Sequence, residues 1–162
     1  TETMRKANGI GLAATQVGEL RRVIVIDMSA VEASLREDEE EEAPRNNGEE
    51  KKTLVLINPE IVKEDGSCDI EEGCLSIPDV RAEVSRSESI RVKFRDMNFD
   101  EVDMTADTIL ARVILHEIDH LNGVLFIDHL TKTQRALLND ELRKIKKGEV
   151  DTVYPVISAL EV

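Results

Sequence analysis

The pentapeptide His116-Glu117-Ile118-Asp119-His120 lies inside a segment, 106–123, whose apolar residues recur at steps of three and four positions. That spacing is typical of a helix with one buried face, and the closing glycine is a typical helix stop. Residues four positions apart on a helix are neighbours, so His116 and His120 can bind one metal ion. Glu117 lies beside them, where it can accept a proton from a bound water molecule. The apolar positions with helical spacing are Ile109, Leu110, Val113, Ile114, Ile118 and Leu121.

This short pattern also occurs as two ordinary histidines on a helix, and it does not identify a third ligand, which a catalytic metal site needs. The chain offers Cys68, Cys74 and His129 as further metal-binding side chains. Cys74 is favoured because the preceding Gly73 allows a tight backbone next to a ligand. Cys68 is interpreted as a small residue that is at least half-buried, and His129 lies beyond the helix stop.

The composition bounds the class of protein. A chain of 162 residues with 41% hydrophobic and 34% charged residues is long enough for one domain, 1–162, with its own core. No run of about 18 apolar residues is present, so a membrane span is not expected. The net charge of -13 argues against binding to DNA. Two cysteines are too few for a disulfide framework, which favours reduced thiols in a cytosol-like compartment. A bacterial cytoplasm is expected, with an organelle left open.

The remaining patterns predict strands in the middle of the chain and helices at its ends. Alternating or β-branched stretches predict strands over 22–28, 53–58, 60–63, 81–85, 90–95, 101–105 and 153–157. A last helix is predicted over 132–147, with a basic end that suits the helix dipole. The fold class is therefore α+β, with antiparallel sheets packed around a central metal-binding helix and a C-terminal helix.

Two features of the first third of the chain stand apart. Residues 1–7 have the composition of a helix end, stopped at Asn8-Gly9, so we expect an N-terminal segment to be absent from this sequence. From Glu32 to Glu50 there are nine acidic residues and two arginines. This charge predicts a solvated loop insertion over 31–52.

Three segments resemble the signature motifs of the peptide deformylase family, in the family's order. They are Gly-Ile-Gly-Leu-Ala-Ala-Thr-Gln at 9–16, Glu-Gly-Cys-Leu-Ser at 72–76 and His-Glu-Ile-Asp-His-Leu-Asn-Gly at 116–123. Three independent motifs are far more specific than the metal motif alone, and the resemblance covers nearly the whole chain. The acidic stretch is longer than is usual for the family, and Leu115 stands where glutamine commonly precedes the first metal histidine.

The resemblance implies a metal-dependent hydrolase. Cys74, His116 and His120 would hold one divalent ion and leave a fourth position to water. Iron(II) is the metal that the family implies, and zinc, nickel or cobalt can take its place. The ligand set itself does not select among these metals.

The implied reaction removes the N-formyl group from newly synthesised peptides that begin with formyl-methionine, and it releases formate. Glu117 would accept and return the proton. The Gln16 side chain and the backbone N–H of Leu75 would stabilise the formyl oxygen as it becomes negative.

The resemblance further implies that the substrate binds as an extended strand against backbone groups of Ile10, Gly11 and Gly73. Asp119 is expected to pair with Arg86 and so to orient the metal histidines. Arg112, in an apolar wall, would need a partner or a route to water. The residues expected around the methionine pocket are Ile10, Ile70, Glu72, Ile109, Arg112 and Val113, and Glu72 is also expected to hold an imidazole.

Two other hypotheses remain open. A metallopeptidase could use the same helix and take its third ligand from downstream, for example from Glu141. Alternatively, an inactive deformylase-like module could bind the ribosome near its exit tunnel through the basic end, 143–147, of the last helix.

Overall fold

Strands occupy the middle of the chain and helices its two ends, which confirms the predicted α+β class. The computed structural model describes residues 1–37 and 52–157. The helices are α1 (Glu2–Lys6), α2 (Met28–Glu37), α3 (Thr108–Leu121), α4 (Lys132–Leu137) and α5 (Asn139–Lys146), and 3₁₀ helices span Ala14–Val17 and Phe126–Asp128. The strands are β1 (Gly11–Ala13), β2 (Val23–Asp27), β3 (Thr53–Asp65), β4 (Cys68–Cys74), β5 (Ile77–Arg86), β6 (Ser89–Arg95) and β7 (Glu101–Asp107).

The strands form two antiparallel sheets. The larger sheet has the order β1-β2-β3-β6-β7, and β4 and β5 pair separately as a hairpin. The two predicted strand pieces around Pro59 are a single strand, β3, whose pairing with β6 is irregular between Ile57 and Glu60. Proline has no backbone N–H to give to a ladder, which accounts for an irregularity at this point.

The helix α3 packs its apolar face against the larger sheet, as the spacing predicts. Ala111 and Ile114 are fully buried, and they join Ile24, Leu56 and Val92 from the sheet in one hydrophobic cluster. A second cluster lies beneath the β4–β5 hairpin, where Phe126 and its neighbours receive side chains from α5. The central helix thus packs on the larger sheet, while the hairpin packs on the second cluster.

No helix in the described ranges is long and apolar enough to cross a membrane.

The segment predicted as an acidic loop begins as a helix. Residues 31–37 continue α2, because Val31 is 2% exposed and packs into the main cluster. Helix–sheet burial therefore outweighs the local charge at the start of the segment. The remainder of the predicted loop, residues 38–51, lies outside the described residues.

The C-terminal region differs from the prediction at two points. The single helix predicted over 132–147 is broken at Leu138, which ends α4 and packs, with Leu142 and Ile145, against the second cluster. The strand predicted over 153–157 is absent from this described stretch. Its apolar residues are not alternately buried, since Val153 is 88% exposed, so the pattern lacks the burial that stabilises a strand.

The start of α3 carries backbone strain that a mutation can relieve. Thr108 is exposed and has a φ of 47°, a left-handed conformation that is unfavourable for a β-branched residue. We expect Thr108→Gly to raise the free energy of unfolding by about 1 kcal/mol. Denaturant unfolding would measure this change. The matched control is Thr105→Gly on the exposed face of β7, which should lower stability, and a loss of stability in both variants would contradict the strain assignment.

Candidate metal centre and active site

Three side chains from two elements converge beside the sheet. Cys74 ends β4, while His116 and His120 lie one turn apart on α3. Cys74 Sγ is 3.1 Å from His120 Nε2, which is 3.2 Å from His116 Nε2, and the three atoms all lie within 4.8 Å of one another. Nitrogen ligands of one tetrahedral metal lie about 3.3 Å apart at ordinary bond lengths. The spacing and the thiolate–imidazole donor set therefore fit a single divalent ion.

The other metal-binding side chains weighed from the sequence lie elsewhere. His129 Nε2 is 2.7 Å from Asp119 Oδ2, so this histidine contacts Asp119 and is not one of the clustered ligands. Cys68 lies at the start of β4 and accepts a hydrogen bond from Arg112. Glu141 is exposed on α5 and does not belong to the Cys74-His116-His120 cluster. The location of Glu141 removes the structural basis for the metallopeptidase alternative.

Hydrogen bonds within the cluster shift the pKa values of Cys74 and His116 in opposite directions. Burial alone would raise the pKa of the Cys74 thiol, but hydrogen bonds with His116 and His120 lower it to about 6. Burial would lower the pKa of His116, but hydrogen bonds with Cys74 and Glu72 raise it to about 10. A metal ion and a proton compete for the same ligand atoms, so the charge that favours protonation of His116 also favours metal binding.

Glu117 lies in the wall of the cavity next to this cluster. The residue is 4% exposed, and its Oε2 atom has no hydrogen-bond partner among the described residues. Burial raises the pKa of Glu117 to about 7, although the charges of His116 and His120 oppose the shift. A carboxylate with a pKa near neutrality can both accept and return a proton at ordinary pH.

Gln16 lies beside Cys74, in the first 3₁₀ helix. Its Oε1 accepts a hydrogen bond of 2.9 Å from the backbone N–H of Ala13, which fixes the direction of the amide. The Nε2 group then points towards the β4–β5 turn, where it donates to Ser76 Oγ at 3.1 Å. A neutral donor is thus held beside Cys74 without competing for a cation.

A buried ionic network contacts His116 through its Nδ1 atom, on the side of the ring away from the cluster. Glu72 Oε2 lies 2.9 Å from His116 Nδ1, and its other oxygen accepts hydrogen bonds from Arg86 and Arg112 at 2.6 and 2.8 Å. Arg86 also donates to Asp119 at 2.7 Å. Burial alone would raise the pKa of Glu72, but hydrogen bonds from His116 and Arg86 lower it to about 2. Glu72 is therefore anionic and holds His116 Nδ1, which leaves Nε2 directed at the cluster.

The cluster opens into a cavity of about 570 Å³ that is large enough for a side chain and part of a peptide backbone. The structure brings every residue that the sequence predicted around the substrate to this cavity. The two Nη atoms of Arg112 donate there to Glu72 and to the backbone carbonyls of Cys68 and Val84, while its buried Nε has no partner among the described residues. The predicted lining residues are Ile10, Gly11, Ile70, Glu72, Gly73, Ile109, Arg112 and Val113.

Sequence reasoning missed two residues of this site. Ser76 is the last residue of the second motif but was given no role, and its position next to Leu75 could have suggested a contact with Gln16. Tyr154 also lines the cavity, and its hydroxyl donates to the carbonyl of Leu75 at 3.1 Å. No spacing rule connects Tyr154 to a motif 79 residues away.

The glycine at position 11 is required for the placement of Glu117. A Cβ atom on Gly11 would lie 2.6 Å from Glu117 Oε1 and 2.9 Å from Val113 Cγ1, so Glu117 would have to move. We expect Gly11→Ala to lower kcat by about a hundredfold, the usual scale for a displaced reacting group. Steady-state kinetics of the hydrolysis that the motif resemblance implies would measure the loss. The control is Gly18→Ala, where a Cβ atom meets nothing within 4 Å; its φ of 78° should cost this variant some stability but not kcat. Equal losses of kcat in both variants would contradict the assignment.

Comparison with known proteins agrees with the geometry of the site. The family model described as polypeptide deformylase matches residues 1–136. A peptide deformylase of Salinibacter ruber is 44% identical over 158 residues, which are 97% of this chain and 77% of that protein. A peptide deformylase of Chlorobium phaeobacteroides is 46% identical over 155 residues, covering 96% of this chain and 76% of the relative.

The fold is also similar to solved structures of peptide deformylases. A crystal structure of a peptide deformylase from Legionella pneumophila has a TM-score of 0.72 and 36% identity, and the match covers 91% of this chain and 77% of that one. Peptide deformylase 1B of Arabidopsis thaliana in complex with an inhibitor has a TM-score of 0.75 and 33% identity, with coverage of 91% and 74%. The chain therefore belongs to the peptide deformylase family, metal-dependent hydrolases that remove the N-formyl group from nascent peptides.

Proposed function

We propose that Cys74, His116 and His120 hold one ion of Fe²⁺ and that the formyl group of a formyl-methionyl peptide is hydrolysed beside it. The observation that carries this proposal is the convergence of Sγ and two Nε2 atoms within 4.8 Å, next to a carboxylate oxygen with no described partner. A thiolate with two imidazoles also suits Zn²⁺, Ni²⁺ or Co²⁺, so the choice of iron rests on the family resemblance.

The chain's own side chains account for the proton transfers. A bound metal ion would supply a Lewis acid that polarises the formyl oxygen and acidifies a water molecule. Glu117 accepts the proton of the attacking water, whose oxygen forms the new bond to the formyl carbon. The carbon–nitrogen bond then breaks, Glu117 returns the proton to the leaving amine, and formate and a free amino terminus result. Its raised pKa suits both steps.

Two neutral donors face the place where negative charge develops. Gln16 Nε2, already aimed towards Cys74, and the backbone N–H of Leu75 would donate to the formyl oxygen in the transition state. Substrate binding would release Gln16 from Ser76, to which it donates in this structure. Each donor acts most strongly when the charge appears, which accelerates the reaction without tightening substrate binding equally.

The peptide would bind as an added strand. Ile10, Gly11 and Gly73 line the cavity, where their backbone groups would pair with the peptide, and β4 pairs on one side with β5. The methionine side chain would enter the apolar part of the cavity, next to Ile109 and Val113. Hydrogen bonds to the peptide backbone do not depend on the side chains, so residues after the first can vary in the substrate. The pocket, in contrast, selects the side chain of the first residue.

The wider setting of this activity is also a proposal. Residues 1–162 would form one catalytic domain that acts in a bacterial cytoplasm, in keeping with the bacterial relatives. The basic end of α5 would lie towards the ribosome, although Arg143 and Lys147 each have an acidic neighbour that offsets part of this charge. Loss of ribosome co-sedimentation after reversal of these charges would test the contact.

The test of the metal assignment is reconstitution. Protein purified without oxygen should contain iron, and a chelator should abolish formate release from a formyl-methionyl peptide. One equivalent of Fe²⁺ should restore it, with Zn²⁺, Ni²⁺ and Co²⁺ as comparisons. Full turnover by the chelated protein would overturn the proposed metal dependence, and zinc in place of iron in the anaerobic protein would overturn the choice of metal.

A further inference from the structure

Among the described residues after α5, Tyr154 is the one that lines the active-site cavity. Tyr154 is partly buried in the wall of the cavity, and its hydroxyl donates to the carbonyl oxygen of Leu75 at 3.1 Å. The hydroxyl of Thr152 donates to the carbonyl of Tyr154 and so fixes the backbone just before this contact. Tyr154 is the one tyrosine of the chain, and the sequence has no tryptophan.

The partner of Tyr154 belongs to the turn that follows Cys74. Leu75 and Ser76 connect β4 to β5, where Cys74 pairs with Ile77. The peptide group between Leu75 and Ser76 is held at both ends. Its carbonyl accepts the hydrogen bond from Tyr154, and its N–H, on Ser76, donates to Cys74 Sγ at 3.4 Å.

A peptide group is planar, so fixing the direction of its carbonyl also fixes the direction of its N–H. A carbonyl that accepts a hydrogen bond is also polarised, which makes the N–H of the same group a better donor. A hydrogen bond to a thiolate withdraws charge from sulfur and thereby tunes the metal that the sulfur binds. The hydroxyl of Tyr154 is therefore linked, through one peptide group, to the charge on Cys74 Sγ.

We propose that Tyr154 is a positioning residue of the deformylation site, whose hydroxyl orients the Leu75–Ser76 peptide group. In this orientation Ser76 N–H donates to the Cys74 sulfur. The adjoining Leu75 N–H then keeps its place beside the formyl oxygen. This inference rests on the proposed function of Cys74 and Leu75. It adds a residue from outside the three motifs, at the far end of the chain, and it makes the C-terminal segment part of the catalytic apparatus.

A purely structural role for Tyr154 leads to different expectations. If the ring only closes the cavity wall or anchors the segment around Thr152, removal of the hydroxyl would leave the metal centre unchanged. The variant Tyr154→Phe separates the two roles, because it keeps the ring and deletes the hydrogen bond to Leu75. Tyr154→Ala removes both the ring and the hydrogen bond.

The experiment compares the cobalt-loaded proteins. Tyr154→Phe should bind one equivalent of Co²⁺ but shift the sulfur-to-cobalt charge-transfer band, since the hydrogen bond to Cys74 Sγ is weakened. With a formyl-methionyl peptide, kcat should fall about three- to tenfold with little change in KM, the scale of one lost hydrogen bond. The control is Val153→Ala, an exposed neighbour, which should match the unmodified protein in both measurements.

Each outcome decides the proposal. A charge-transfer band and kcat equal to those of the unmodified protein in Tyr154→Phe would overturn it, whatever Tyr154→Ala does. A rise in KM alone, with an unchanged spectrum, would also overturn it and would make the tyrosine a substrate contact. If the unmodified protein binds Co²⁺ and releases no formate, the proposed function fails, and the spectral comparison still tests whether Tyr154 acts on Cys74.

Discussion

Replacement of Glu117 by glutamine is expected to lower kcat for formate release by about a thousandfold, within the range for general acid–base catalysis. Glutamine keeps the size of the side chain and its place in the buried wall, but it cannot accept a proton from water. KM should change little, because the carboxylate acts in the transition state and not in holding the peptide. Steady-state kinetics with a formyl-methionyl peptide would measure both constants.

Metal analysis completes this experiment. Glu117→Gln should still contain one equivalent of metal, since the carboxylate oxygen is not among the three clustered ligand atoms. Glu117→Ala should show the same loss of turnover. The matched control is Glu83→Gln on the exposed face of β5, which should behave as the unmodified protein does. Near-normal turnover in Glu117→Gln with metal bound would rule out Glu117 as the proton acceptor.

Replacement of Cys74 by alanine is expected to weaken metal binding by more than about a hundredfold, because it removes one of three protein ligands. Turnover should fall with the metal content. The chain offers a close control in Cys68, which begins the same strand and lies outside the cluster. In Cys68→Ala, Arg112 keeps its bonds to the Cys68 carbonyl and to Glu72, so metal content and turnover should be retained.

Equilibrium dialysis against a chelator of known affinity would measure the metal affinity of both variants. Circular dichroism would check that each retains its fold. Unchanged metal affinity in Cys74→Ala would mean that the third ligand lies elsewhere, and this outcome would revive the metallopeptidase hypothesis. Equal loss in both cysteine variants would indicate a general defect and would contradict a specific role for Cys74.

The strongest local patterns of the sequence predicted the fold well. Helix α3 has an apolar face with helical spacing over 14 residues, and burial against the sheet agrees with that local preference. The strands β5 and β6 were also predictable from alternation, but not their separation into two sheets, which depends on distant pairing. The break at Leu138 could not be foreseen, because it serves contacts with residues far away in the sequence.

Site residues that lie close together in the sequence were predictable, and those that lie far apart were less so. The two histidines follow from a spacing of four on one helix. Cys74 lies 46 residues before His120, so spacing left it as one of several metal-binding side chains, and the resemblance of three motifs singled it out. Tyr154 reaches Leu75 through the packing of the C-terminal segment, for which no short pattern exists. The acidic charge led to the prediction of a loop from residue 31, but burial of Val31 continues helix α2 there.

The most direct test of the central claim is to measure formate released from a formyl-methionyl tripeptide by the metal-loaded protein. Acetylated and unformylated peptides of the same sequence serve as controls, and internal cleavage is followed in the same samples. One formate is expected for each new amino terminus, with little reaction of the acetylated peptide and intact internal bonds. Internal cleavage, or no formate release with one equivalent of metal bound, would contradict the deformylase activity.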